Sequence, residues 1–161
     1  MYIPAYYRNT DLKEIEGFIR ENSFATLITT IDDMPFASHI PMELSLNSMN
    51  ENVLCGHLSA ANPQAKAMKN GDSAMLIFQG PHTYISSSWY NHMNVPTWNY
   101  IAVHVYGKIK LMNDEMLKRS LEEMVNKYEL ISKKPFHVSD MPPDMLQKNL
   151  KGIRGFEISM D

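Results

Sequence analysis

A chain of 161 residues is long enough to bury a sizeable core in one domain, residues 1–161. Its 44% apolar and 20% charged content is ordinary for a soluble globule, and no apolar run reaches the roughly 20 residues of a membrane span. The net charge of −3 argues against a broad non-specific nucleic-acid footprint, which needs clustered Lys and Arg.

The opening Met1-Tyr-Ile-Pro4 lacks the basic-then-apolar order of a signal peptide. Residues 11–20 read as a helix: Asp11 and Glu14 have capping-box spacing, and Leu12, Ile15, Phe18 and Ile19 fall on one face. Phe24 to Ile31 reads as a strand, Asp32-Asp33 as a turn, and Pro35 to Leu46 as the return strand of a hairpin. After a polar turn at Asn47–Asn52, Val53 to Ser59 is a third strand. Asn62 to Gly71 forms a small helix, with Asn62 as N-cap, Pro63 at the first helical position and Gly71 just past the end. Its first-turn amides and Lys66 suit an anion, and the same residues equally suit a capped surface helix with solvated lysines.

Ser73 to Gln79 is a fourth strand, ended by Gly80-Pro81. In the next strand Ile101, Val103 and Val105 point one way, and Tyr100, Ala102, His104 and Tyr106 the other. The first face fits a barrel interior; the second suits a partner or ligand. Asn113 to Leu130 is the strongest helix, with Leu117, Leu121, Met124, Val125 and Tyr128 in one stripe. Lys133 to Pro143 is a loop, Asp144 to Lys151 a short helix stopped by Gly152, and Ile153 to Met160 a last strand. Strands with interspersed helices, unlike regular βαβ units, predict an α+β fold: a closed antiparallel sheet with helices outside. The 13 Met read as core filler.

The stretch Ile77 to Val105 concentrates Trp, Tyr, His and Pro between two apolar runs. Rings provide flat apolar faces and hydroxyls fix orientation, as a planar cofactor or a subunit interface requires. Phe78-Gln-Gly-Pro-His82, Tyr84-Ile-Ser-Ser-Ser-Trp-Tyr90 and Val95-Pro-Thr-Trp-Asn-Tyr100 resemble the PaiB family of FMN-binding split-barrel negative transcriptional regulators. So do Met1–Pro4, Ala37-Ser-His-Ile-Pro41 and Gly56-His-Leu-Ser-Ala-Ala-Asn-Pro-Gln64, in the same order over nearly the whole chain.

That resemblance implies a split β-barrel, a homodimer with FMN in the two interface clefts, and a regulatory role. It places the FMN phosphate near Asn62 and Lys66. It places the ring edge along Ser38, His39, Ile40 and the Cys55–Leu58 strand with His57, with Gln79 nearby and Trp98 and Trp89 reaching across the two-fold. Relatives of this barrel also bind haem through a His, which makes His82, His92 or His137 the alternative ligands. A flavin-dependent oxidoreductase or flavin reductase is the rival activity.

Three departures stand out. Ser87 replaces a usual Pro, Ala65 replaces a usual aromatic, and the chain stops at Asp161 where members continue for some tens of residues. If those residues close the pocket, FMN binds weakly or not at all.

The six His show no i, i+4 metalloprotease pairing, and there is no Cys cluster, so no structural zinc is expected. Ser86, Ser87 and Ser88 lack a Gly-x-Ser-x-Gly frame. No helix-turn-helix or basic arm is visible, so any effect on transcription is expected without direct DNA reading. The single Cys55 has no internal disulfide partner, and the expected compartment is the cytoplasm.

Overall fold

The computed structural model describes residues 2–160; Met1, which opens the Met1–Pro4 motif, and Asp161 lie outside the described residues. Among the described residues are four α-helices and seven strands: α1 (Leu12–Glu21), β1 (Phe24–Ile31), β2 (Met34–Pro41), β3 (Glu43–Leu46), β4 (Asn52–Ser59), α2 (Pro63–Ala67), β5 (Ser73–Ile85), β6 (Thr97–Leu111), α3 (Asp114–Glu129), α4 (Pro143–Lys151) and β7 (Ile153–Ser159). The strands form one antiparallel sheet in the order β2-β1-β5-β6-β7-β4-β3, curled into a split barrel.

Local chemistry accounts for most boundaries. Asp11 caps α1 by accepting from the amides of Lys13 and Glu14. Glu14 does not complete the capping box; its carboxylate accepts from the Asn9 side chain instead. The turn joining β1 to β2 has both aspartates at positive φ, 48° at Asp32 and 61° at Asp33, the geometry of a two-residue hairpin turn.

Four boundaries differ from the expectation. The strand expected over Pro35–Leu46 is two strands. Pro41 lacks an N–H, and Met42, 0% exposed, donates its N–H to the Ser23 carbonyl (2.8 Å) and turns into the core. Thus β2 pairs with β1, whereas β3 pairs with β4. The helix expected over 62–71 is only five residues long, because Met68 turns extended (ψ 131°) and inserts into the core. Gly71, at φ +87°, serves the turn into β5 rather than a helix cap. Gly80-Pro81 does not end β5: the β5–β6 ladder shifts register between Gln79 and His82, then continues to Ile85.

The interior is filled by Leu27, Met42, Leu54, Leu76, Phe78, Phe156 and Ile158. Burying seven such side chains contributes about 1.5–3 kcal/mol each before the ordering cost of the chain. Ile101, expected inside with Val103 and Val105, is 54% exposed because it lies where the β5–β6 hairpin leaves the barrel. No helix among the described residues is long and apolar enough to cross a membrane.

Candidate functional site

Directly paired residues of an antiparallel ladder share a face. Leu27, Leu76 and Val105 face the core, so their neighbours face out: Ile28, Met75 and Tyr106 in one row, and His39, Thr26, Ile77 and His104 in the next. That outer face crosses β2, β1, β5 and β6. None of these residues is fully buried.

One end of the face opens into a cleft of about 510 Å³ lined by Thr29, Thr30, Asp32, Lys66, Lys69, Asp72 and Ser73, among others. Lys108, paired with Ser73 across the ladder, donates from Nζ to its hydroxyl at 2.8 Å. The cleft is thus lined by two ammonium groups and two carboxylates, with a third ammonium, Lys108, tied to its rim through Ser73. The Asp72 carboxylate is partly committed, accepting from the Lys69 amide at 2.8 Å. Lys66, on the last turn of α2, is exposed. This donor set suits a doubly charged phosphate ester, which takes charge-assisted bonds from Lys and neutral ones from hydroxyls.

The other end of the face is the projecting hairpin arm. His82–Ile85 pair with Thr97–Tyr100, and a loop containing a single 3-10 turn, Ser87–Trp89, joins them. Trp98 packs on His82 (6.2 Å between ring centres) and on Tyr84 (6.0 Å). Even so, Trp98 is 60%, Trp89 67% and Met93 99% exposed. Exposed apolar side chains gathered on one projection are what a contact surface requires.

The residues expected from sequence fall into two groups. Ser38 and Ile40 point inward on β2, Ile40 into the core, while His39 points outward. Asn62 is used as a cap: its oxygen accepts from the Gln64 amide (2.8 Å) and its amide donates to the Ser38 hydroxyl (3.1 Å). Of the first-turn amides expected to hold an anion, that of Gln64 is thereby committed, and the cleft lined by Lys66 and Lys69 lies at the opposite end of α2. His39 Nδ1 and the Thr26 hydroxyl share a hydrogen bond of 3.0 Å, and its ring stacks on Phe24. Gln79 stands exposed where the face meets the arm, beside Trp98's hairpin. His57, on β4, pairs with Gly155 and points away from the interior; burial holds its pKa below the usual histidine value.

The haem alternatives are spread out. His82 and His92 lie on the arm, whereas His137 shares a hydrogen bond with Asn126 near α3. Among the described residues no group of three or more His, Cys, Asp or Glu side chains could hold a metal ion.

Several participants were not singled out from sequence. Gln64, 1% exposed, ties α2 to the first hairpin, donating to the Thr29 hydroxyl (2.9 Å) and the Phe36 carbonyl (3.2 Å). Lys108, Thr26, Met75 and Ile77 join the face only through strand register, and Lys69 reaches the cleft from the loop between α2 and β5. The period-2 alternation of Thr26, Ile28 and Thr30 was the available signal.

A family model described as "Putative FMN-binding domain" matches residues 1–161. The chain belongs to that family. It is 42% identical, over 162 residues, to Protease synthase and sporulation protein PAI 2 of Bacillus subtilis, covering 100% of this chain and 77% of that protein. Membership in the PaiB family, expected from the motifs, is thus shown. Several solved structures share the fold. The FAD and heme binding protein from Mycobacterium smegmatis has a TM-score of 0.72 at 14% identity, covering 95% of this chain and 68% of that one. The flavocytochrome Anf3 from Azotobacter vinelandii has a TM-score of 0.68 at 16% identity, covering 99% of this chain and 69% of that one.

Proposed function

We propose that this member of the PaiB family binds FMN on the outer face of β1, β5 and β6 and works as a flavin-responsive regulatory homodimer. The supporting observation is the order of surfaces along that face. A cationic cleft at Lys66, Lys69 and Lys108 leads to an apolar floor at Ile28, Met75 and Ile77, then to the aromatic arm. A phosphate ester carrying a flat ring system with a polar edge matches that order.

Lys66 and Lys69 hold the phosphate charge, helped by the hydroxyls of Thr30 and Ser73. The floor keeps water from one face of the ring. The open edge of β2 at Ser38, His39 and Ile40 borders one end of the ring, with Gln79 at its far side. Trp98 and Trp89 close the site from the second copy of the chain, which removes their large apolar surface from water. Flavin, when bound, supplies the electron-carrying chemistry. A regulatory role fits better than catalysis: the Thr26 hydroxyl meets the His39 imidazole on this face, but among the described residues no carboxylate hydrogen-bonds that imidazole to orient it as a base. The net charge of −3 favours control through ligand or protein contacts over direct duplex binding.

Absorbance and mass spectrometry of the ligand released from gently purified protein test this reading. FMN is expected. A Soret band, or a colourless protein that takes up no flavin, overturns it. Lys66→Ala is expected to weaken FMN binding about tenfold while riboflavin, which lacks the phosphate, binds unchanged; a charge-assisted contact has that size. Equal FMN affinity removes Lys66 from the site.

A further inference from the structure

We infer that His104 is a hydrogen-bond donor to the ring edge of the bound ligand, acting through Nε2. The inference deepens the flavin reading and rests on it. His39, Thr26, Ile77 and His104 stand in register on β2, β1, β5 and β6, so the two histidines flank a Thr–Ile floor. Three strand spacings of about 4.8 Å separate them by about 14 Å, enough to bracket a tricyclic ring laid across β1 and β5.

The two imidazoles differ in commitment. His39 is engaged with Thr26 through Nδ1. His104 is half-buried, and its Nδ1 is enclosed without any hydrogen-bond partner. Enclosing an orphan N–H costs more than enclosing an orphan lone pair, as the rarity of the former in folded proteins shows. The favoured tautomer therefore leaves Nδ1 bare and puts the proton on Nε2, the nitrogen that is not enclosed. Burial also lowers the pKa of this group, which keeps the ring neutral. His104 is then a fixed, uncharged, one-way donor at the margin of an apolar floor. An enclosed Nδ1 without a partner is costly to retain in a strand where Phe or Val would pack as well. Ligand recognition accounts for that cost, and the matching ligand carries an acceptor, such as a ring carbonyl, on its edge.

Fluorescence titration with FMN and with riboflavin tests the assignment in three proteins: wild type, His104→Phe and His104→Gln. His104→Phe keeps the ring shape and removes the donor. It is expected to weaken both flavins by the same factor, about fivefold or more, the worth of one neutral hydrogen bond. It is also expected to melt at or above the wild-type temperature, because the orphan nitrogen is gone. His104→Gln restores an N–H and is expected to bind within about twofold of wild type. Unchanged affinity in His104→Phe overturns the assignment, as does a loss confined to FMN, or a folded His104→Gln as weak as His104→Phe. If the wild type binds neither flavin, the flavin reading falls and this one with it. If the wild type binds and His104→Phe is unaffected, only the role of His104 is lost.

Discussion

Replacing Gln64 by Glu changes one nitrogen to oxygen and tests how α2 is held over the first hairpin. In the native protein Gln64 Nε2 faces three acceptors: the Thr29 hydroxyl at 2.9 Å, the Phe36 carbonyl at 3.2 Å and the Leu27 carbonyl at 3.4 Å. The side chain is 1% exposed, and its Oε1 has no partner. No cation is among the hydrogen-bond partners of this side chain, and a carboxylate there puts negative charge against two carbonyl oxygens. An uncompensated buried charge costs about 3–5 kcal/mol. At 2–4 °C per kcal/mol for a chain of this length, the melting temperature at pH 7 should fall by roughly 6–20 °C.

The deficit must depend on pH. Burial raises the folded-state pKa of the new carboxyl above its unfolded value of about 4.3. The protonated acid can donate to one acceptor, so the variant's stability is retained below about pH 4 and lost as pH rises through the raised folded value. Urea unfolding of wild type and variant at several pH values between 4 and 8 measures this. A deficit below about 1 kcal/mol at pH 7, or one that stays level across the range, would refute the three-acceptor account.

Three further outcomes are expected. Gly107→Ala should be strongly destabilising, by about 1–3 kcal/mol or more, because a Cβ would fall inside contact distance of the Ser159 carbonyl oxygen and close to Ile158; a thermal melt matching wild type contradicts it. Cys55, whose thiol is pushed up to about 12 by burial first and then by Glu157 and Glu123, should resist alkylation at pH 8 until the protein is unfolded; fast labelling of the native state is the contrary result. Trp98→Ala should leave the melting temperature nearly unchanged but shift sedimentation toward monomer, since the ring is 60% exposed in a single copy; an unaltered association constant removes Trp98 from the interface.

Local chemistry was legible in the chain, and long-range register was not. Asp32-Asp33 announced its turn, Asp11 its cap, and the alternation from Ala102 to Tyr106 its two faces, with Ile101 lost to the irregularity beside it. Gly80-Pro81 looked like a stop, but a ladder already paired on both sides absorbed it as an irregularity. Met42 looked like mid-strand, because nothing nearby reveals that its amide is claimed by Ser23. The motif Asn62–Lys66 was found, yet its meaning shifted: the cap occupies Asn62 with its own neighbours, and the charge gathers at the other end with Lys69 and Lys108. Lys108 and His104 reach the face only because β6 runs beside β5 in one particular register, a pairing no local pattern specifies.

Because β2 and β3 are the two terminal strands of the sheet and are joined only through Met42, the barrel has an unlaced seam. Loosening there breaks few ladder bonds, whereas the long β5–β6 hairpin must part as a whole. Deuterium should therefore enter the amides of β2 and β3 well before those of the central strands. Any occupant resting against β2 would slow that uptake, turning the weakest margin of the molecule into its most responsive one.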